Sequence, residues 1–189
     1  MFTILKVFNK KQVIKKEMMN MAKLYIITGP AGVGKSTISK GIAESSEKSV
    51  LIEGDEIYHQ VVGGYVPAWK EGNHLDVFWK VCMDIIKDYL DYGYDVIFNY
   101  IIEKERFHEL KEQFSNIDMK FIVLLLKEET LLQRDKERPE GCQMKERCLV
   151  LLKEFIDYQY DEKNILYTDN LTIEETIKEV IFNDRFLTK

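Results

Sequence analysis

Short apolar runs alternate along this chain with stretches whose apolar residues recur at helical spacing. The runs are Leu24-Tyr25-Ile26-Ile27, Val50-Leu51-Ile52-Glu53, Val96-Ile97-Phe98, Phe121 to Leu126 and Ile165-Leu166-Tyr167. Continuous apolar runs of this length, rich in β-branched and aromatic residues, read as strands covered on both faces. Between them the pattern predicts helices from Lys35 to about Glu44, Lys104 to Phe114, Glu128 to Glu137 and Gln143 to Tyr158. The clearest amphipathic helix carries Leu75, Phe78, Trp79, Cys82, Ile85, Ile86, Tyr89 and Leu90 on one face, with Asn73 as N-cap and Gly93 as stop. A last helix opens with the capping box Thr172/Glu175 and turns Ile173, Ile177, Val180 and Ile181 inward. Glu56 to Asn73, with Gly63-Gly64 and Pro67, reads as irregular. Strands alternating with helices imply an α/β fold whose parallel sheet is covered on both faces and binds ligands at the carboxyl ends of its strands.

Composition narrows the class. The 189 residues are 46% hydrophobic and 31% charged, which fits one globular domain with a sizeable core. A net charge of −5 provides no drive toward nucleic acid, and no apolar stretch is long enough to cross a membrane. The expected partner is therefore a small molecule, with no nucleic acid and no membrane, and the expected assembly a monomer or homodimer. Cys82, Cys142 and Cys148 have no C-x-x-C spacing and read as free thiols of a reducing cytoplasm. Residues 1–20, with Lys6, Lys10, Lys11, Lys15 and Lys16, read as a disordered basic extension of a domain spanning 21–189.

The decisive motif follows the first apolar run. Gly29-Pro30-Ala31-Gly32-Val33-Gly34-Lys35-Ser36-Thr37 fits G-x-x-x-x-G-K-[ST] between a predicted strand and a predicted helix. Glycines there let successive backbone N–H groups turn toward an anion, and the helix adds its positive end. Lys35 is placed to reach the β- and γ-phosphates, and the Ser36 hydroxyl to ligate Mg²⁺. This nonapeptide is a nucleoside-triphosphate site. The chain has no N-K-x-D base-reading motif and no L-S-G-G-Q-like signature, and it is too short for a ring-forming ATPase with a lid domain. Those absences leave a small phosphotransferase.

Two further features carry chemistry. Asp55 closes the second run, at the rim where an acceptor hydroxyl meets the γ-phosphate, and phosphoryl transfer needs a carboxylate there to orient the hydroxyl and take its proton. The alternative weighed for Asp55, a helix N-cap, is compatible with that role. Arg134-Asp135-Lys136-Glu137-Arg138 precedes Pro139-Glu140-Gly141, and arginines at i and i+4 on one helix face suit a mobile lid that offsets charge in the transition state.

The order G-P-A-G-V-G-K-S-T, E-G-D-E-I-Y-H and L-L-x-R-x-x-x-R resembles the small P-loop kinases that include gluconate kinase, shikimate kinase and chloramphenicol phosphotransferase, and most of all gluconate-kinase-like proteins. The resemblance spans Lys23 to Ile181. It implies a three-layer P-loop NTPase fold with five parallel strands in the order 2-3-1-4-5 and a short lid. It further implies ATP as nucleotide, Mg²⁺ as cofactor, Lys35 and Ser36 on phosphate and metal, and Asp55 facing the acceptor. Arg134 would lie near the adenine or phosphates, Arg138 would reach in from the lid, and the loop Thr168-Asp169-Asn170 would lie against the adenine. Two departures stand out. The third strand ends in Asn99 where the family carries an acid, and Gly63 to Lys70 replaces the Asp-Asp-Arg-Pro-Trp-like stretch of gluconate kinases.

The acceptor is constrained by what is missing. Of five arginines, none lies between the phosphate loop and Arg106, the span that forms most of the acceptor pocket. A phosphorylated acceptor needs bidentate guanidinium groups there. The span offers Tyr58, His59, Tyr65, Trp69, Lys70 and His74 instead, of which His59, Tyr65, Trp69 and Lys70, with Asp55, are the candidate substrate contacts. Aromatic walls with few polar tips suit a sugar, sugar acid, nucleoside or antibiotic. The competing readings are a nucleoside or nucleotide kinase and a nucleotide-binding protein with little catalysis, the latter favoured by Asn99. A polynucleotide 5′-kinase would need a basic groove beside Asp55, and the sequence there is not basic.

Overall fold

In the computed structural model, which describes residues 22–70, 72–141 and 143–189, five strands form one parallel sheet in the order β2-β3-β1-β4-β5. The basic extension 1–20 and Cys142 lie outside the described residues. The strands are β1 (Lys23–Thr28), β2 (Ser49–Glu53), β3 (Asp95–Asn99), β4 (Asp118–Leu125) and β5 (Ile165–Tyr167). The helices are α1 (Lys35–Glu44), α2 (Gly54–Tyr58), α3 (His74–Asp91), α4 (Lys104–Gln113), α5 (Glu128–Lys136), α6 (Glu146–Asp157) and α7 (Ile173–Phe182). The sheet order expected from the family resemblance is the one observed.

Alternation along β4 shows how the layers form. Lys120 points to one face, where its ammonium donates to the carbonyls of Val180, Ile181 and Asn183 at the end of α7. Phe121 points to the other and stacks on Phe107 of α4, with ring centroids 4.0 Å apart. Both faces of the central strands are therefore buried, and the pattern is continuous rather than alternating. β1 sits in the middle, with Ile27 opposite Asn99 of β3 and Ile122 of β4.

Several local expectations need correction. α2 occupies Gly54–Tyr58, inside and just before the segment read as irregular, and Glu53 rather than Asp55 holds its N-cap position. Asn73 holds the N-cap position of α3 as expected but makes no side-chain cap hydrogen bond, and Gly93, at φ 73°, is the left-handed stop. α6 begins at Glu146, not Gln143, because the Gln143 amide is used to brace the carbonyls of Lys136 and Arg138. The Thr172/Glu175 capping box is formed, but Ile173 is 57% exposed: as the first residue of α7 it overhangs the phosphate loop instead of entering the core.

Candidate active site

Backbone geometry makes the cradle first. Gly29 has φ 143°, and a Cβ on it would stand 2.3 Å from the Leu124 carbonyl oxygen of β4, so the loop passes closer to the sheet than any side chain allows. Gly34, at φ 99°, turns the chain into α1, whose free N–H groups face the loop. Val33 is buried and anchors the loop from beneath. The Lys35 ammonium donates to the carbonyls of Gly29 (2.9 Å) and Pro30 (3.1 Å), folding back across the cradle.

Charge gathers at the mouth of this loop. Burial brings the Lys35 ammonium down to about 8, with the Asp55 carboxylate opposing that shift and the Arg138 guanidinium adding to it. The charges of Asp55 and Arg138, 20 and 103 positions further along the sequence, are thus felt at the Lys35 ammonium, whose own hydrogen bonds go to the loop carbonyls. Asp55 lies in the first turn of α2 with its side chain exposed. The preceding Gly54 packs its backbone on the Tyr100 ring: an added Cβ would meet that ring at 2.6 Å.

Ser36, Thr37 and Glu53 open into one recess beside α1. The β2–β3 register sets Glu53 opposite Asn99, and the Asn99 amide donates to Glu53 Oε1 at 3.2 Å. The acid absent from the end of the third strand therefore has a neighbour one strand over, held by the amide that replaces it. Sequence reasoning quoted Glu53 within E-G-D-E-I-Y-H but gave it no role, and it passed over Tyr100. The usable signal for Glu53 was its place at the carboxyl end of β2.

On the other flank, Arg134 reaches the loop and donates to the Val33 carbonyl at 3.5 Å. With Gly32, Thr37, Thr168, Leu171 and Thr176 it lines a recess of about 410 Å³. Arg138 does not share its helix face. α5 stops at Lys136, since the residue before Pro139 is driven out of the helical region, and Arg138 pairs instead with Asp135 at 3.4 Å. Asp135 is buried and accepts from the amides of Met144 and Lys145, which ties the far side of the Pro139–Gly141 break to α5. Asp169 turns away from the recess. Its Oδ1 accepts from the Lys127 amide and the Thr130 hydroxyl, both at 2.9 Å, at the start of α5. Thr168 lines the recess in its place, its hydroxyl buried with no partner among the described residues.

The segment from His59 to Lys70 forms a flap over α2. His59 stacks on Tyr65 at 5.9 Å, Tyr58 meets Tyr65 edge-on at 5.7 Å, and the Tyr58 hydroxyl donates to the Val66 carbonyl at 2.5 Å. Trp69, 78% exposed, and Lys70 stand outside at the end of the flap.

Solved structures share this fold. A gluconokinase from Sinorhizobium meliloti 1021 is similar over 85% of this chain and 90% of that one, with TM-score 0.58 and 19% identity. A tunicamycin resistance protein from Deinococcus radiodurans matches over 84% and 93%, with TM-score 0.63 and 16% identity. A sugar kinase from Janibacter sp. HTCC2649 matches over 84% and 91%, with TM-score 0.62 and 16% identity. At such identities the likeness is one of fold. No curated protein matches the chain. Residues 26–163 match the family described as AAA domain. That match covers well over half of the sequence, from the first strand through the lid, so the chain belongs to this family and is built on the fold of the small P-loop kinases.

Proposed function

We propose that the chain is an ATP-dependent phosphotransferase that moves the γ-phosphate to a hydroxyl of a small, non-phosphorylated molecule such as a sugar, sugar acid, nucleoside or antibiotic. The phosphate loop supports this reading best, with Lys35 folded across the Gly29 and Pro30 carbonyls and its ammonium under the charge of the exposed Asp55. A protein that only bound nucleotide would need Lys35 but no exposed carboxylate acting on it.

In this reading the loop amides from Ala31 to Thr37 hold the β- and γ-phosphates, and Lys35 leaves the Gly29 and Pro30 carbonyls to pair with them. Arg134 lies against the base or α-phosphate, and Thr168 offers its hydroxyl to the base edge. Asp55 accepts the proton of the acceptor hydroxyl as that oxygen attacks phosphorus in line with the departing ADP oxygen. Arg138, released from Asp135, neutralises charge on the transferring group. The residues present fit a Mg²⁺ ion: Ser36 and Glu53 face one recess, with Asn99 steadying Glu53. Held by Ser36 and Glu53, Mg²⁺ would supply positive charge that offsets the negative charge of the transferring phosphate. Glu53 also weakens the case for a protein with little catalysis, because Asn99 no longer implies a missing carboxylate. Residues 21–189 form the catalytic domain, acting in the cytoplasm as a monomer or homodimer.

The test is ADP release from Mg²⁺·ATP against sugar acids, neutral sugars, nucleosides, nucleoside monophosphates and aminoglycoside or phenolic antibiotics, with Lys35→Ala as blank. Turnover with a non-phosphorylated acceptor, reduced about 10²–10⁴-fold by Asp55→Asn, is expected. Turnover with monophosphates alone would replace the reading with a nucleotide kinase.

A further inference from the structure

Beneath the flap lies a cavity of about 230 Å³ apart from the recesses at the phosphate loop. Ile57 and Tyr58 of α2, Tyr65 and Val66 of the flap, and Val77 and Val81 of α3 line it. Nothing in that set carries a formal charge. The rim is unusually apolar for free surface, with Val61 50% and Val77 63% exposed. His74 adds the one unmet polar demand: its Nε2 is buried with no hydrogen-bond partner among the described residues. The Tyr58 hydroxyl, already given to Val66, does not serve it.

Packed aromatic rings run from the wall of the cavity toward the acceptor side. Tyr58 lies 5.2 Å from Phe78, and Phe78 4.7 Å from Tyr100. Tyr100 in turn rests on Gly54, next to Asp55. The Gly63-Gly64 pair, with Gly64 at φ 72° and open space around both, is an uncrowded bend within the flap.

We propose that this cavity takes the apolar body of the acceptor, a neutral aromatic or short aliphatic group bearing one hydrogen-bonding function that His74 Nε2 meets. The inference rests on the phosphotransferase reading and narrows its substrate class. A dry cavity of about 150 Å³ lined by aliphatic and aromatic side chains holds benzene, so this volume suits a substituted ring. A sugar acid, whose carboxylate would be stripped of water against valines, is disfavoured there.

The probe is 2-phenylethanol, followed by saturation-transfer NMR on the full chain without nucleotide. Val81→Trp fills the cavity from the half-exposed outer side of α3 and should weaken 2-phenylethanol about tenfold. Mg²⁺·ATP affinity, distant from the change, should stay within about twofold and report an intact fold. His74→Leu keeps the volume and should weaken 2-phenylethanol more than toluene. In turnover, wild type should prefer phenyl glucoside to methyl glucoside as acceptor, and Val81→Trp should abolish the preference. Equal binding of 2-phenylethanol by wild type and Val81→Trp would overturn the proposal, as would a dimer that Val81→Trp converts to monomer, which assigns the patch to a second copy. Failure of the phosphotransferase reading has a separate signature: cavity-dependent binding of 2-phenylethanol with no ADP release for any acceptor.

Discussion

Gly54 shows how a single missing side chain can set a site. Its Cα packs where Tyr100 leaves no room, and this contact fixes where α2 starts, with Asp55 in its first turn. Gly54→Ala should therefore cut turnover strongly while Tyr100→Ala relieves the clash. In the double variant ATP binding and part of the activity should return, a coupling that steady-state kinetics would reveal. Lys35 is the residue whose titration matters. Its ammonium, lowered by burial to about 8, is lost from the free protein as pH rises through that value, so ATP affinity should weaken above pH 8 in a calorimetric series. Between about 8 and 10.5 the unfolded chain holds a proton at this residue that the folded one has shed. Folding stability therefore rises with pH in that window, and Lys35→Met should remove the slope.

Elements are held by buried charges that cap them. Lys120 of β4 satisfies three carbonyls at the end of α7, and Lys120→Met leaves them unpaired at a cost of about 1–3 kcal/mol, readable by urea denaturation. Asp135 does the same for the start of α6. Burial raises its carboxyl, but the Met144 and Lys145 amides and the Arg138 guanidinium outweigh that and hold it below the usual carboxylate range. Its stabilisation is thus complete at neutral pH and fades as pH falls through the depressed value. Asp135→Asn should cost about 1.5–3 kcal/mol at pH 7 and almost nothing in strong acid. The strands and long helices were legible in the sequence because each buries a periodic apolar set. The short turns were not. α2 has too few residues to show a period, and the early end of α5 came from Pro139 acting backwards on Arg138. Ile173 misled because spacing alone does not say that the first residue of a helix clears the layer beneath it.

For the whole molecule, the phosphate loop was legible since its motif is contiguous, whereas the Glu53–Asn99 pair was not. That pair exists only through the register of two strands 46 residues apart, and no local pattern encodes it. It also makes a prediction that separates the readings. Glu53→Gln should lower Mg²⁺-dependent turnover by about tenfold or more, with little effect on ATP binding measured in EDTA. Asn99→Asp, which restores the family's acid, should fail to raise activity, because two adjacent carboxylates repel and one takes up a proton. A gain in turnover from Asn99→Asp would show that Glu53 does not stand in for it.

The central place of β1 has a consequence for how this protein is made. The first strand and its loop leave the ribosome before their lateral partners Val96–Asn99 and Asp118–Val123, and before Leu124, on which Gly29 seats. Until those later strands emerge, the glycines have nothing to lean on and the loop amides no common direction. Nucleotide binding in the growing chain should therefore switch on abruptly once β4 is released, rather than build up with length, and ATP in the cell becomes a ligand that rewards completion of the sheet.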